Sequence, residues 1–218
     1  MATLQNFDAE IEKTKQVVND MRSKIEQSGI VLEKFSKADQ AIGDGDHGIG
    51  MARGFEAVEN MLQIKPLDNV EEIFFNTGTS LLASIGGASG AIFGSFFMGA
   101  GKALQGADSL DAAGYQKALS AGLAMVKKRG NASTGDKTMV DALEPAVTAA
   151  GQYSGNSLEE LAALVAEASR AGMEQTKTLT AKIGKAKTLG ERTLGHADPG
   201  AISITLIFEA LKEYISML

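Results

Sequence analysis

Apolar residues recur at helical spacing along almost the whole chain, and this periodicity is what most limits the folds open to it. Ile11, Val18, Met21, Ile25 and Leu32 form the stripe of a long amphipathic helix. A second helix is expected from about Gly50 to Ile64, with Phe55, Val58 and Leu62 on one side. Asp68-Asn69-Val70-Glu71 has the form of a capping box and opens a third through Phe74, Leu81 and Leu82. A small-residue segment from Ala88 to about Leu104 supplies a fourth. Asp108 precedes a fifth, through Ala118, Leu123 and Val126, which stops near Arg129-Gly130. Asp136 is the expected N-cap of a sixth that carries Pro145. Ser157-Leu158-Glu159-Glu160 caps a seventh, with Leu161, Leu164, Val165 and Ala168 inward, and Asp198-Pro199 starts an eighth. In that last element Ile202, Ile204, Leu206 and Phe208 alternate as in a strand. The Asp-Pro start and the following Glu209-Ala210-Leu211-Lys212 favour helix. Eight helices without a convincing strand specify an all-α bundle, and no linker or repeat divides residues 1–218 into more than one domain.

The formal net charge of −6 argues against a nucleic-acid surface, which would carry a basic excess. No cysteine is present, which excludes disulfides, thiolate metal sites and a cysteine nucleophile. The first residues show neither a basic leader nor an apolar core segment, and no apolar run reaches the roughly 20 residues of a membrane span. A cytoplasmic protein without membrane contact is expected. Glycine is the outlier: 25 residues, against the roughly 7% of an ordinary protein. Most fall around Asp44, from Gly86 to Gly101, and from Gly190 to Gly200. Such clusters mean either close backbone approach or loops that bind anions.

The densest chemistry lies in Asp39-Gln40-Ala41-Ile42-Gly43-Asp44-Gly45-Asp46-His47-Gly48. Carboxylates this close disfavour one another's ionised form unless a cation sits among them. Hard divalent ions are the usual partners of aspartate oxygens. The EF-hand pattern fails, because from Asp44 the fifth position is Gly48, the sixth Ile49 and the twelfth Phe55. Mg²⁺, which takes few carboxylates and shares phosphate oxygens with a ligand, fits better. A lone Asp-Gly would be read as a solvated turn; the company of Asp39, Asp46 and His47 favours the metal.

Three further stretches stand out. Gly86-Gly87-Ala88-Ser89-Gly90 precedes an apolar helix, where free backbone amides can hold an anion or small residues can simply pack; neither a Walker A loop nor a dinucleotide fingerprint is present. Gly130-Asn131-Ala132-Ser133-Thr134-Gly135-Asp136-Lys137-Thr138 reads as a polar, capped turn. From Lys177 to His196, the residues Lys182, Lys185, Lys187 and Arg192 form either a solvated charge run or a basic loop able to close over phosphates. Neither histidine has a local nucleophile motif that would support a hydrolytic triad.

Taken in order, Asp39-x4-Asp44-x-Asp46-His47-Gly48, Gly86-Gly87-Ala88-Ser89-Gly90, Gly135-Asp136-Lys137-Thr138-Met139, Leu189-Gly190-Glu191-Arg192 and Gly195-His196-x-Asp198-Pro199-Gly200 resemble the nucleotide-binding (L) subunits of dihydroxyacetone kinases, from about residue 10 to the C-terminus. The resemblance implies a single-domain antiparallel eight-helix barrel with ADP or ATP held at one end through two Mg²⁺ ions. It implies Asp39, Asp44 and Asp46 as metal ligands. His47, Gly48, Ala88 and Ser89 would lie against the phosphates, with Ile49 and Gly50 beside them. Gly130 and Met139 would line the adenine pocket, and Lys185, Asp198, Pro199 and Gly200 would belong to the closing loops. No further catalytic residue is implied within this chain.

Two positions depart from the family pattern. Gly50 precedes Met51 where Asn is common, and Lys185 and Thr188 stand where Arg and Tyr are common. Lysine keeps the charge but loses the planar fork of arginine. The resemblance further implies phosphoryl transfer to dihydroxyacetone held on a separate ketose-binding subunit, with ADP rephosphorylated by a phosphohistidine protein of the phosphotransferase system. An ATP-dependent subunit for a four-carbon ketose such as erythrulose is the alternative. So is a nucleotide-loaded module that binds a transcriptional regulator, and a homodimer is a further expectation.

Overall fold

The computed structural model describes residues 45–217, and all of its regular structure there is helical. Helix α1 is His47–Ile64, α2 Val70–Ile85, α3 Gly87–Ala103, α4 Ala112–Gly130, α5 Val140–Gln152, α6 Leu158–Gln175 and α7 Pro199–Ile215. Two 3₁₀ segments, Thr176–Thr178 and Lys185–Thr193, lie between α6 and α7. The expected first helix, Asp39 and Asp44 lie outside the described residues.

Each helix packs on its neighbour in the chain from α1 to α7, and α5 also meets α7. Short connections up to α6 force this up-and-down order and make neighbouring helices antiparallel. The longer 176–198 connection returns the chain so that α7 starts beside the end of α6. Met51, Phe55 and Val58 of α1, Ile73 and Leu81 of α2, Phe93 of α3, Leu119 of α4, Leu143 of α5, Leu161 of α6 and Ile204 and Phe208 of α7 share one buried core. The strand-like alternation of α7 is thus carried on a helix, begun by Asp198, whose Oδ2 accepts the Ala201 N–H at 2.8 Å. Ser157 caps α6 as expected.

Other local readings shift. Asn69, not Asp68, caps α2, accepting the Glu72 N–H at 2.9 Å, while the Glu72 carboxylate accepts from the Asp68 N–H at 3.2 Å. Asp111 rather than Asp108 caps α4, and Asn131, at φ 47°, ends it in the left-handed region in place of Gly130. Asp136 does not cap α5, which begins at Val140; its carboxylate turns back to accept the Ser133 N–H. Leu164, expected inward, is 41% exposed.

Much of the glycine excess serves helix contact. A Cβ on Gly78 would stand 2.7 Å from Gly94 O, and one on Gly94 2.8 Å from Gly78 O, so α2 and α3 touch backbone to backbone. Gly101 meets the α2 backbone at Glu71 and Phe75, and Gly122 receives the Phe96 ring. Side chains at these points would hold the helices apart.

Candidate functional site at one end of the bundle

Because neighbouring helices alternate in direction, the N-termini of α1, α3, α5 and α7 fall at the same end, each presenting the positive pole of its dipole. Side-chain contacts hold them together there. His47, the first residue of α1, reaches Ser89 of α3 (Nδ1 to Oγ, 3.2 Å) and Ser203 of α7 (Nε2 to Oγ, 2.7 Å). Hydroxyls donate or accept, so this pair suits either neutral imidazole tautomer and the imidazolium. Phe93 packs near the ring at 6.1 Å. On α1, Arg53 donates from Nε to Ser84 O and from an Nη to Ile85 O, fixing the end of α2 beside the start of α1. A Cβ on Gly200 would lie 3.3 Å from Met139 Cβ, so the starts of α5 and α7 are in contact.

How these helices begin is informative. Among the described residues, α2, α4, α6 and α7 are closed by Asn69, Asp111, Ser157 and Asp198, whereas α1, α3 and α5 have no N-cap side-chain bond. Gly86 (φ 77°) and Gly87 (φ 57°) turn the chain sharply from α2 into α3, in a conformation that suits glycine and with open space where a Cβ would stand. The first amides of a helix lack intrahelical acceptors, and left uncapped they are available to an anion. Asp46 occupies the N-cap position of α1, yet its side chain makes no cap bond and is exposed. Among the described residues nothing engages that carboxylate, which leaves it available to a cation. Among the described residues no three acidic or imidazole groups converge; Asp39 and Asp44 lie outside those residues.

A second cluster orders the turn before α5. The buried Asp141 accepts the N–H of Gly135 at 2.5 Å and of Thr138 at 2.7 Å. Lys137, 2% exposed, donates to Thr176 O at 2.5 Å and His196 O at 2.6 Å. Burial lowers the Lys137 pKa, and the carboxylates of Asp198 and Asp141 oppose that shift. Burial pushes Asp198 up to about 7, with Asp141 acting in the same direction, while the N–H groups of Ala201 and Gly200 and the charge of Lys137 pull it down.

Ionising Asp198 is therefore harder in the folded chain than in the unfolded one. Its contribution to stability is full below about pH 3.8 and is lost as pH rises through about 7. Asp198→Asn keeps a capping oxygen without the titration. It is expected to flatten the pH dependence of urea unfolding between pH 4 and 7, which a series of unfolding curves across that range measures.

The expected site residues divide by position. His47 meets Ser89 and Met139 meets Gly200 through the contacts above; Gly48 and Gly50 are buried, Ile49 is exposed, Ala88 is exposed next to Ser89, and Pro199 starts α7. Gly130 ends α4 against Ile92 of α3, its Cβ position 3.0 Å from Ile92 Cδ1. Lys185 is exposed at the start of the second 3₁₀ segment; the basic stretch meets the Gly135 turn through Lys182, whose Nζ is 3.8 Å from Asp136. Ser203, Asp141 and Thr176 were not foreseen as parts of this end. Ser203 sits at an unremarkable helical position, and the others act through contacts remote in sequence.

These features define a helical-bundle protein with an anion-receptive end. Residues 41–213 match the DAK2 domain model. The chain belongs to the DAK2 domain family of dihydroxyacetone kinase-type phosphotransferases. It is 39% identical, over 90% of its length and 92% of theirs, to the ADP-binding subunit of PEP-dependent dihydroxyacetone kinase 1 of Listeria innocua. It is 40% identical to the ADP-binding subunit of the Escherichia coli PEP-dependent enzyme, over 82% of this chain and 86% of that one. The crystal structure of Citrobacter freundii dihydroxyacetone kinase in complex with AMP-PNP and Mg²⁺ superposes with a TM-score of 0.69 at 31% identity, covering 91% of this chain and 33% of that one. Among the described residues no helix is long and apolar enough to cross a membrane.

Proposed function

We propose that residues 1–218 form one L-type domain that holds ADP on Mg²⁺ and passes a phosphoryl group to dihydroxyacetone bound by a separate subunit. The observation that carries this reading is similarity over most of both chains to ADP-binding subunits of PEP-dependent kinases. By contrast, L-erythrulose 1-kinase of Mycolicibacterium smegmatis matches over 97% of this chain but only 36% of its own, at 32% identity. The higher identity to subunits of PEP-dependent kinases supports a nucleotide rephosphorylated in place, in the cytoplasm, by a phosphohistidine protein.

In this reading Asp39, Asp44 and Asp46 hold the metal, two ions by family expectation. The exposed, unengaged Asp46 carboxylate fits that use. Held by these carboxylates, Mg²⁺ would supply positive charge to offset that of the phosphates. The chain's own groups do the rest. The uncapped amides at the starts of α1 and α3 and the Ser89 hydroxyl receive phosphate oxygens, and Ser203 fixes the His47 ring beside them. Ile49 and Gly50 continue the α1 wall, while Gly130 and Met139 border the base. Lys185 and the Asp198-Pro199-Gly200 start of α7 close over it. Phosphoryl transfer asks little covalent help from a protein, so positioning and charge compensation suffice.

The test mixes this chain with a ketose-binding subunit and dihydroxyacetone, supplying either phosphoenolpyruvate with its phosphohistidine carriers or ATP. Product from phosphoenolpyruvate with catalytic ADP supports the proposal. Turnover with ATP alone replaces it with an ATP-consuming subunit. Nucleotide binding without turnover under either condition points to a regulatory module.

A further inference from the structure

Lys137 is a buried cation in a left-handed backbone conformation (φ 61°), where residues other than glycine are uncommon. Its two acceptors stand at opposite ends of one excursion: Thr176 directly follows α6, and His196 shortly precedes α7. Further bonds close the same neck. Gly195 N donates to Lys177 O at 2.8 Å, and Asp198 N donates to Thr176 Oγ1 at 2.9 Å. Thr176 Oγ1 in turn donates to Met173 O in the last turn of α6. Beyond the neck, Lys182, Lys185, Lys187 and Arg192 are exposed, and the Lys182 N–H reaches Asp136 O at 3.1 Å.

We propose that Lys137 is a positioning residue for the nucleotide: its ammonium fastens the neck of the 177–195 excursion to the Gly135–Met139 turn, and this fastening limits how fast a bound nucleotide leaves. The inference rests on the proposed function for its ligand, but the fastening itself does not. An uncharged side chain would take the charged donor from Thr176 O, which keeps the Leu179 N–H, and from the part-buried His196 O, a loss concentrated at the neck. Asp198, which starts α7, is held by that neck through its own N–H. Opening it would free the excursion and the α7 start together.

Lys137→Met keeps length and apolar volume but removes the donor, and Thr176→Val removes the acceptor of Asp198 N. Gly78→Ala, which crowds α2 against α3 away from the neck, controls for general loss of stability. Release of a fluorescent ADP analogue in Mg²⁺ is followed by chase with ADP at a temperature where every variant remains folded. Amide exchange over 177–198 is recorded in parallel, with and without nucleotide. Lys137→Met is expected to release the analogue at least about tenfold faster and to lose protection at Gly195 and Asp198, as expected for loss of charged hydrogen bonds. Thr176→Val should move both readouts the same way by less, and Gly78→Ala neither.

Unchanged release in folded Lys137→Met and Thr176→Val, or equal acceleration in Gly78→Ala, overturns the proposal. Should Lys137→Met not fold, Thr176→Val and the native chain decide: Gly195 and Asp198 must exchange together and slowly, and exchange as fast as an unstructured peptide overturns the fastening. Absence of any ADP binding by the native chain contradicts the proposed function instead, and the exchange readout still tests the neck.

Discussion

Asp46→Ala is expected to weaken Mg²⁺-dependent ADP binding by at least about 100-fold, a loss suited to a direct ligand when even supporting groups around metals are worth 10–100-fold. Stability should stay within about 0.5 kcal/mol of the native chain, as for surface changes that remove no packing or cap. Asp46 is exposed, and its side chain takes no part in capping α1, so the fold has little to lose. A solvated Asp-Gly turn predicts the opposite pattern, with binding unaffected. Titration calorimetry with MgADP beside urea unfolding separates the two. Removing one of several crowded carboxylates without a metal would relieve repulsion and leave the chain as stable or more so.

Gly172→Ala should produce the larger structural effect. A Cβ there would stand 2.2 Å from Asp141 O and 3.0 Å from Ala142 Cα. The obstacle is backbone, which no rotamer change relieves, so α5 and α6 must separate. Overpacking of this kind costs about 1–3 kcal/mol, occasionally more, against a gain of at most about 1 kcal/mol from the better helix propensity of alanine. A net loss of roughly 1–2 kcal/mol in urea unfolding is expected. Gly151→Ala, near the end of α5 with nothing within 4 Å of the new Cβ, should instead be neutral or stabilising. The displaced Asp141 also holds the Gly135 and Thr138 amides, so Gly172→Ala should weaken nucleotide binding as well.

Helix content and order were legible because they rest on periodicity and on caps such as Ser157 and Asp198, which act within a turn of their own position. The misplaced starts show the limit of that signal. Asp68 and Asp136 each lie near a true boundary, but which polar residue caps is decided by the backbone angle at which the helix enters. The glycine clusters were ambiguous for a similar reason. Gly86 and Gly87 make the turn into an uncapped helix, whereas Gly94 and Gly101 in the same cluster allow helices to touch, and only the packing separates the two uses. His47 was legible from its neighbours. Ser203, 156 residues further along, became visible only when α7 was laid beside α1. Lys137 looked like one charge in a polar turn; its burial depends on α6 and α7 arriving from elsewhere in the chain.

The most direct test of a Mg²⁺-nucleotide site at this end of the bundle is the nucleotide content of protein purified in Mg²⁺ and then challenged with excess labelled ATP. Close to one equivalent of unlabelled ADP that resists exchange, and leaves when the metal is chelated, is the predicted result. Protein that carries no nucleotide, and takes none up from the labelled pool, would contradict the account.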